Sequence, residues 1–265
     1  MHYHENRFAA SDAVGSRRLE DRRLLTGQGR FTANLRDSGA LQPMMEDDGA
    51  NGPPLAVCFV RSQPASGILN SLDIKGAQAI PGVHYVFTGA DLDQLGLAAM
   101  PAVSAPEGAS FFAPPERRPI ASHRISFSGE IIACIVASTS QIATMAAEAV
   151  IAEIDDRDDP PWPGRNSGLH WAFEDHGECL AQAFAQADHC VELSQPSMRQ
   201  IVFPMEPRAI IAWPWPGGIR LVSPSQGPVW LAQKLAEALG EQTQAVHVLT
   251  FDVGGAFGCR LPLYP

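Results

Sequence analysis

Short apolar runs separated by turn-forming residues dominate the first part of the chain, and they predict strands interleaved with helices. Leu55–Arg61, Val83–Thr88 and Ile131–Ala137 are rich in β-branched and aromatic residues, which is typical of strands. Ile74–Ile80 precedes a Pro-Gly pair and predicts a short helix that stops there. Gln141–Glu153 combines a high alanine content with apolar residues at helical spacing, which predicts a helix. We therefore expect an α+β fold.

The second part of the chain also combines apolar residues at helical spacing with short apolar runs typical of strands. Gly177–Ala187 and Pro228–Leu239 predict helices. The second of these begins with proline at its first turn and is followed by Gly240, a common residue at a helix C-terminus. Ile219–Ser223 and Val246–Val253 predict strands.

The two parts are separated by a segment with a different composition. Residues 155–168 contain a cluster of charges, three prolines and two glycines, which is typical of an exposed linker. We expect a first domain over residues 1–154, a linker over 155–168 and a second domain over 169–265.

Composition excludes several classes of protein. The chain has 19 Lys and Arg against 29 Asp and Glu, a net charge of −10, which argues against a nucleic-acid partner. Five scattered cysteines without a Cys-x-x-Cys pair argue against a disulfide framework or a structural zinc site and favour a cytoplasmic protein. The start carries no signal-peptide pattern, and no apolar run is long enough to span a membrane.

A glycine turn, Gly254–Gly258, directly follows the last predicted strand. Glycines let a ligand approach the main-chain N–H groups closely, so the turn is a candidate for binding an anionic or oxo group. A purely structural turn explains the same residues. It is not a dinucleotide-binding fingerprint, because the three-glycine spacing and the following helix are missing.

Two further positions are candidates for chemistry. Gln226 precedes the predicted Pro228–Leu239 helix and can donate its amide hydrogens to a ligand, although Ser225 as the helix N-cap is the simpler interpretation of this segment taken alone. Glu206 and Arg208 are two residues apart, so in an extended chain they would share a face and could pair. A surface salt bridge is the alternative interpretation.

Taken together, these segments resemble the molybdopterin-binding large subunit of the xanthine dehydrogenase and aldehyde oxidase family, especially its carbon monoxide dehydrogenase branch. The resemblance implies an α/β hammerhead domain followed by the truncated start of a molybdopterin-binding domain. The matching motifs are Arg18–Phe31, Phe59–Ser62, Ile80–Val83, Thr88–Asp91, Phe127–Glu130, Met205–Arg208, Ser225-Gln226 and Asp252–Gly258.

The resemblance also assigns roles to residues. Gln226 and the main-chain N–H groups around Phe257 would donate to the oxo group of a pterin-bound molybdenum that no protein atom ligates. The cofactor-binding positions would be Gln226 and the turn Gly254, Gly255, Ala256, Phe257 and Gly258. Phe257 would wall the substrate pocket, and Glu206 and Arg208 would lie in the substrate channel.

The implied reaction is hydroxylation of an aldehyde, an N-heterocycle or a related carbon, or oxidation of carbon monoxide, with water as the oxygen source. The cofactor would be molybdopterin in its cytosine dinucleotide form, with 2Fe-2S and FAD on the partner subunits of a heterotrimer. The general-base glutamate of the family would lie beyond this chain, so we expect an inactive fragment. The alternative is a non-catalytic hammerhead assembly module.

One departure from the family pattern affects the turn. Ala256 stands where the family usually has glycine, which removes the freedom to adopt a positive φ at that position. This substitution predicts an altered fit of the cofactor.

Overall fold

The computed structural model describes residues 19–35, 38–97, 100, 110–112, 117–157, 168–170, 177–198 and 200–264. The helices are α1 (Asp21–Leu25), α2 (Thr32–Leu35), α3 (Gln42–Asp47), α4 (Lys75–Gln78), α5 (Gly89–Gln94), α6 (Ser140–Glu148), α7 (Gly177–Gln186) and α8 (Pro228–Leu239), with a 3₁₀ turn at Thr243–Ala245. The strands are β1 (Ala56–Arg61), β2 (Gly67–Asp73), β3 (Val83–Thr88), β4 (Ser110–Phe112), β5 (Arg124–Ile125), β6 (Ile131–Ala137), β7 (Ile151–Asp156), β8 (Gly168–His170), β9 (Ile211–Trp215), β10 (Gly218–Val222) and β11 (Val246–Leu249).

Residues 56–156 form a first unit built on two antiparallel sheets. The first sheet has the strand order β1-β6-β3 and the second has the order β5-β2-β7. The central strand β6 is almost entirely buried, because α6 packs on one face of the first sheet and apolar residues of the second sheet pack around Ile132 at one end of the other face. The predicted strands at β1, β3 and β6 are confirmed.

The predicted helix over Gln141–Glu153 is wrong in its second half. Helix α6 ends at Glu148, and Ile151 begins strand β7, which pairs antiparallel with β2. A helix through this segment would remove β2's longest partner strand, so pairing within the sheet overrides the local helical preference. The helix starts as a capped element, because the Thr139 side chain accepts a hydrogen bond from the backbone N–H of Ile142.

The third sheet has the order β11-β10-β9 and forms a second unit. Strands β10 and β11 run parallel and are joined by α8, which covers one face of the sheet. The predicted helix Pro228–Leu239 is confirmed, and Gly240 ends it at φ 68° in the left-handed conformation. The predicted strand Val246–Val253 stops earlier, at Leu249.

The N-terminal segment covers the opposite face of this third sheet. Leu35 and Leu41 pack with Trp213 and Val222 in one buried cluster. Asp48 of the same segment accepts hydrogen bonds from the Trp213 indole at 2.7 Å and from the Arg220 guanidinium at 2.6 and 2.8 Å. Although the sequence groups residues 1–154 together, residues 32–50 pack on the second unit because that sheet needs an apolar layer on its second face.

Most of the predicted linker, residues 158–167, lies outside the described residues, as do residues 1–18 of the chain's start. Strand β8 follows the linker and pairs antiparallel with β4. The predicted helix Gly177–Ala187 is confirmed as α7. Within the described part of the chain, no helix is both long and apolar enough to span a membrane.

Candidate active site

The glycine turn lies where the chain leaves β11, and its glycines have different physical roles. A Cβ at Gly254 would lie 2.5 Å from the Cβ of Glu206, so this glycine permits a close approach of the two segments. Gly255 and Gly258 have φ values of 102° and 82°, a conformation that favours glycine. The turn is therefore fixed both by close packing and by backbone conformation.

Ala256 does not have a positive φ, and Phe257 does, at 49°. Alanine at position 256 is thus compatible with the backbone of the turn, which is not left-handed there, and the altered fit of the cofactor stays a prediction. Phe257 is the non-glycine residue in the described part of the chain that adopts this conformation. Its strain is of order 1–2 kcal/mol, and its side chain is 75% exposed.

Four consecutive main-chain N–H groups of the turn have no hydrogen-bond partner among the described residues. They belong to Gly255, Ala256, Phe257 and Gly258. Adjacent N–H groups in mixed left- and right-handed backbone form concave sites that bind anions and oxo groups. The turn is consequently a donor-rich surface that protein acceptors leave open.

The buried carboxylate of Glu206 holds the turn in place. One of its oxygens accepts from the Gly254 N–H at 2.8 Å, and the other accepts from the Thr32 N–H at 3.3 Å. The Glu206 N–H donates to the Gly254 carbonyl at 3.1 Å. Its side chain is 4% exposed and faces Arg260, whose Nη2 lies 3.9 Å from a carboxylate oxygen. Glu206 therefore connects the N-terminal segment to the glycine turn.

Arg208 does not pair with Glu206, so the predicted pairing of these two residues is wrong. The chain bends at Met205 and Glu206, which breaks the two-residue repeat of an extended segment. Arg208 is exposed instead, donates to the Cys259 carbonyl at 3.1 Å and lies over the ring of Tyr264, 3.8 Å from its centroid.

Gln226 lies beside the end of the glycine turn, in the connection between β10 and α8. Its side-chain oxygen accepts from the Arg260 N–H at 3.3 Å, and its own N–H donates to the Arg260 carbonyl at 3.2 Å. Its Nε2 has no partner among the described residues. Ser225 is not the helix N-cap, because Gly227 occupies that position and donates its N–H to the Ser225 hydroxyl at 3.1 Å.

A cavity of about 670 Å³ opens beside the turn. Phe257 and Glu206 line it, whereas Gln226 and Arg208 do not. The remaining lining residues are Phe31, Ala33, Asn34, Phe203, Met205, Pro207, Gly254 and Gly255. Phe257 therefore lines the cavity, whereas Gln226 contacts Arg260, two residues beyond the turn.

An ion pair fastens the N-terminal segment beside this cavity. Arg23 donates to both carboxylate oxygens of Asp252, one of them at 2.7 Å, and the Arg30 N–H donates to the same carboxylate at 2.6 Å. Phe31 forms a parallel β-bridge with Asp252. The hydrogen bonds from Arg23 are the largest cause that lowers the pKa of Asp252 from 3.8 to about 2.

Sequence reasoning missed Arg260, Asp252, Arg23 and Thr32 as parts of this site. Arg260 follows the glycine turn by two residues and is 97% buried, since its side chain is 3% exposed. A single arginine has no periodic pattern, so only its place after the glycine turn could have drawn attention to it. Arg23 and Asp252 did lie in the motifs that carry the family resemblance, but neither was given a role.

Comparison with known proteins decides the family. Residues 161–265 match the family model of the molybdopterin cofactor-binding domain, and residues 45–158 match that of the aldehyde oxidase and xanthine dehydrogenase a/b hammerhead domain. The chain belongs to the aldehyde oxidase and xanthine dehydrogenase family. The predicted family and the predicted order, a hammerhead domain followed by the start of a molybdopterin-binding domain, are confirmed.

The relatives within this family are large subunits. The chain is 27% identical to the nicotine 6-hydroxylase large subunit of Paenarthrobacter nicotinovorans and 25% identical to the carbon monoxide dehydrogenase large chain of Hydrogenophaga pseudoflava. These alignments cover 96% and 93% of this chain. The chain spans 31% of the length of each of these two relatives.

A solved structure of the family has the same fold. Quinoline 2-oxidoreductase from Pseudomonas putida 86 superimposes with a TM-score of 0.69 at 28% identity, over 92% of this chain and 30% of that chain. In the described part of the present chain, no group of three His, Cys, Asp or Glu side chains could hold a metal ion directly.

The residues at the turn fit a pterin-held metal centre better than a metal bound by side chains. The donors available are the free Nε2 of Gln226 and the four free N–H groups of the turn, all of which suit acceptor oxygens. A Cβ built at Gly258 would meet no described atom within 4 Å, so the space beside this glycine is open. The donor set fits the oxo and phosphate groups of the family's cofactor.

Proposed function

We propose that this chain supplies the first part of the cofactor-binding site of a molybdenum hydroxylase large subunit. The observation that carries the proposal is a set of donors without a described acceptor, Gln226 Nε2 and the N–H groups of Gly255 to Gly258, on two segments that Arg260 joins. Their supporting groups are buried and hydrogen-bonded, so the donors are fixed before any ligand arrives. Such preorganised donors stabilise developing negative charge effectively.

When bound, the molybdenum cofactor would supply the two-electron redox chemistry, while the protein contributes binding and electrostatics. Gln226 would donate a hydrogen bond to an oxo oxygen, and the N–H groups at Phe257 and Gly258 would donate to the same group. Gly254, Gly255 and Ala256 would contribute main-chain contacts to the cofactor, since none of them carries a side chain larger than a methyl group. Phe257 would exclude water from the substrate pocket, with Glu206 and Arg208 near the substrate channel.

The reaction we propose for the whole enzyme is hydroxylation of an aldehyde, an N-heterocycle or a related carbon, or oxidation of carbon monoxide, with water as the oxygen source. Two relatives named above act on nicotine and carbon monoxide by their names, which supports this range. Because the resemblance assigns the general base to a later part of the family sequence, we propose that residues 1–265 alone turn over little or no substrate.

We further propose that the cofactor is the cytosine dinucleotide form and that the complete enzyme works in the cytoplasm. Electrons would leave through a 2Fe-2S subunit to an FAD subunit of a heterotrimer. The description of two relatives as a large subunit and a complex subunit supports the existence of such partners.

The test is to purify the 265-residue chain from a host that makes the cofactor and to measure molybdenum and oxidised pterin per chain. We expect both in equal molar amounts, below one per chain. Gln226→Glu keeps an acceptor for the Arg260 N–H but lacks the amide donor, and Gln226→Met lacks both. Both variants should retain less than a tenth of the wild-type metal, since a charged-acceptor hydrogen bond is worth about 1.5–3 kcal/mol.

Wild-type chain whose molybdenum content equals that of Gln226→Met would contradict the proposed site. Full metal occupancy together with rapid substrate turnover would instead contradict the proposed inactivity of these residues alone.

An assembly module is the second candidate function, and one surface favours it. The outer face of the first sheet exposes Val57, Phe59 and Tyr85, with Tyr85 stacked on Phe87 at 5.7 Å between ring centroids. Contiguous exposed apolar side chains mark protein interaction sites. Metal-free chain that binds a purified 2Fe-2S subunit of a related hydroxylase, and loses binding in Phe59→Ser, would support this function over the first.

A further inference from the structure

Arg260 is the buried cation of the candidate site, and it contacts both groups to which the proposed function gives a role. Its main-chain N–H and carbonyl bind Gln226, while its Nε donates to the Gly255 carbonyl at 2.9 Å. Its Nη2 donates to the Glu206 carbonyl. One residue thereby touches the connection before α8, the glycine turn and the segment that holds the turn.

The contact with Gln226 determines which way the side-chain amide points. A main-chain N–H can only donate, so the atom of Gln226 that faces Arg260 is its oxygen, Oε1. The Nε2 group then projects on the other side of the amide, where no described protein atom accepts from it. The position of Arg260 therefore turns Gln226 into a donor toward the ligand side.

The contacts of the guanidinium determine where the turn lies. Gly255 and Glu206 present their carbonyls to two different nitrogens of the planar guanidinium. The planar fork of arginine holds two acceptors at a fixed separation, which the single ammonium of lysine does not do. The carboxylate of Glu206 balances the charge of this buried side chain at 3.9 Å.

We propose that Arg260 is a positioning residue that sets Gln226 and the glycine turn at a fixed separation and orientation. The inference deepens the proposed function, on which it rests, because it explains how two distant segments present their donors to one ligand. A role limited to neutralising Glu206 would need only the positive charge, whereas positioning needs the arginine fork.

The test uses residue-resolved amide exchange by NMR on the metal-free 265-residue chain. Arg260→Met removes the two guanidinium hydrogen bonds that anchor the main chain at position 260 to Gly255 and Glu206. We therefore expect protection of the Gly254 amide, and of the Gln226 amide that bonds to the residue-260 carbonyl, to fall at least about tenfold relative to amides of α8. In Arg260→Lys, global stability should recover while protection at these two amides does not. Arg220→Met is the matched control, because it breaks the ion pair with Asp48 in the same unit without contacting the turn.

Unchanged relative protection in Arg260→Met, or full recovery in Arg260→Lys, would overturn the positioning role. A loss of protection in the Arg220→Met control equal to that in Arg260→Met would also overturn it, since the effect would then be general destabilisation. The readout requires no cofactor, so it stands apart from the molybdenum measurement that tests the proposed function.

Discussion

The first and second units of the molecule reach their cores by different routes. The first unit, residues 56–156, builds its two sheets and helix α6 from one continuous stretch of chain. The third sheet is covered on one face by α8 and on the other by residues 32–50, which are separated from it by more than 150 positions. Long-range closure costs more entropy than local closure, so the second unit depends more on specific anchoring contacts.

The candidate site lies at the junction of these two distant segments. Thr32 meets Glu206, and Arg23 meets Asp252, across separations of 174 and 229 residues. The site geometry is therefore formed only when the N-terminal segment is docked. The first unit is thus a scaffold of local contacts, whereas the geometry of the candidate site comes from long-range contacts of the second unit.

The largest expected difference between the regions is in packing. Ile135 is fully buried in β6, and its truncation to alanine should lower the free energy of unfolding by about 2–5 kcal/mol. Ile201, which is 90% exposed in the segment before β9, is the matched control and should cost less than about 0.5 kcal/mol. Urea denaturation followed by circular dichroism compares the two. Equal losses would show that the segment around Ile201 belongs to a core.

The next largest effect should come from the ion pair that docks the N-terminal segment. Asp48→Ala removes the acceptor of the Trp213 indole and the Arg220 guanidinium, which should destabilise the second unit by about 2 kcal/mol. Amide exchange in urea should show β10 opening earlier, with β6 unchanged. If β6 and β10 were destabilised together, residues 32–50 would not serve the second unit alone.

Low pH should weaken the second contact that holds the N-terminal segment, the ion pair between Arg23 and Asp252. Asp252 has a pKa of about 2 in the folded chain against an ordinary value of 3.8, chiefly because of its hydrogen bonds with Arg23. Its contribution to stability is complete above pH 3.8 and is lost as the pH falls through about 2. Carboxyl-carbon NMR titration should show this pKa, and Arg23→Met should raise it toward 3.8. If the pKa of Asp252 did not change in Arg23→Met, the proposed contact between Arg23 and Asp252 would be contradicted.

The smallest effect should distinguish two neighbours in the turn. Phe257→Gly relieves a positive φ on an exposed residue and should stabilise the chain by about 0.5 kcal/mol, after the added freedom of glycine in the unfolded chain is counted. Ala256→Gly gains no such relief and should destabilise it by about 0.5–1 kcal/mol. Thermal denaturation of the two variants and the unchanged chain measures this difference in stability. The opposite order would place the left-handed residue at 256.

Local pattern predicted much of the fold. Strands β1, β3 and β6 and helix α8 were accessible because alternation, β-branching, a first-turn proline and a C-terminal glycine act within a few residues. The segment around Ile151 was not, because its strand character depends on pairing with β2. Strand β2 itself was missed, since its sequence alternates weakly and carries a glycine and an asparagine.

The motifs of the candidate site could be predicted from the sequence, but the contacts between its side chains could not. The glycine turn and Gln226 could be nominated from sequence, whereas the partner of Glu206 could not. Two residues of spacing suggested Arg208, but the chain bends there and the buried partner is Arg260. Tertiary packing determines which cation lies beside a buried carboxylate, and it leaves no short-range pattern in the sequence.

The most direct test of the central account is where the bound cofactor contacts the chain. Amide NMR spectra of molybdenum-containing and metal-free chain should differ at the N–H groups of Gly255–Gly258 and at the Gln226 side-chain amide, with signals of β6 unchanged. Spectra in which those five groups are identical in both forms, while other residues shift, would contradict the claim that this turn and Gln226 face the molybdenum cofactor.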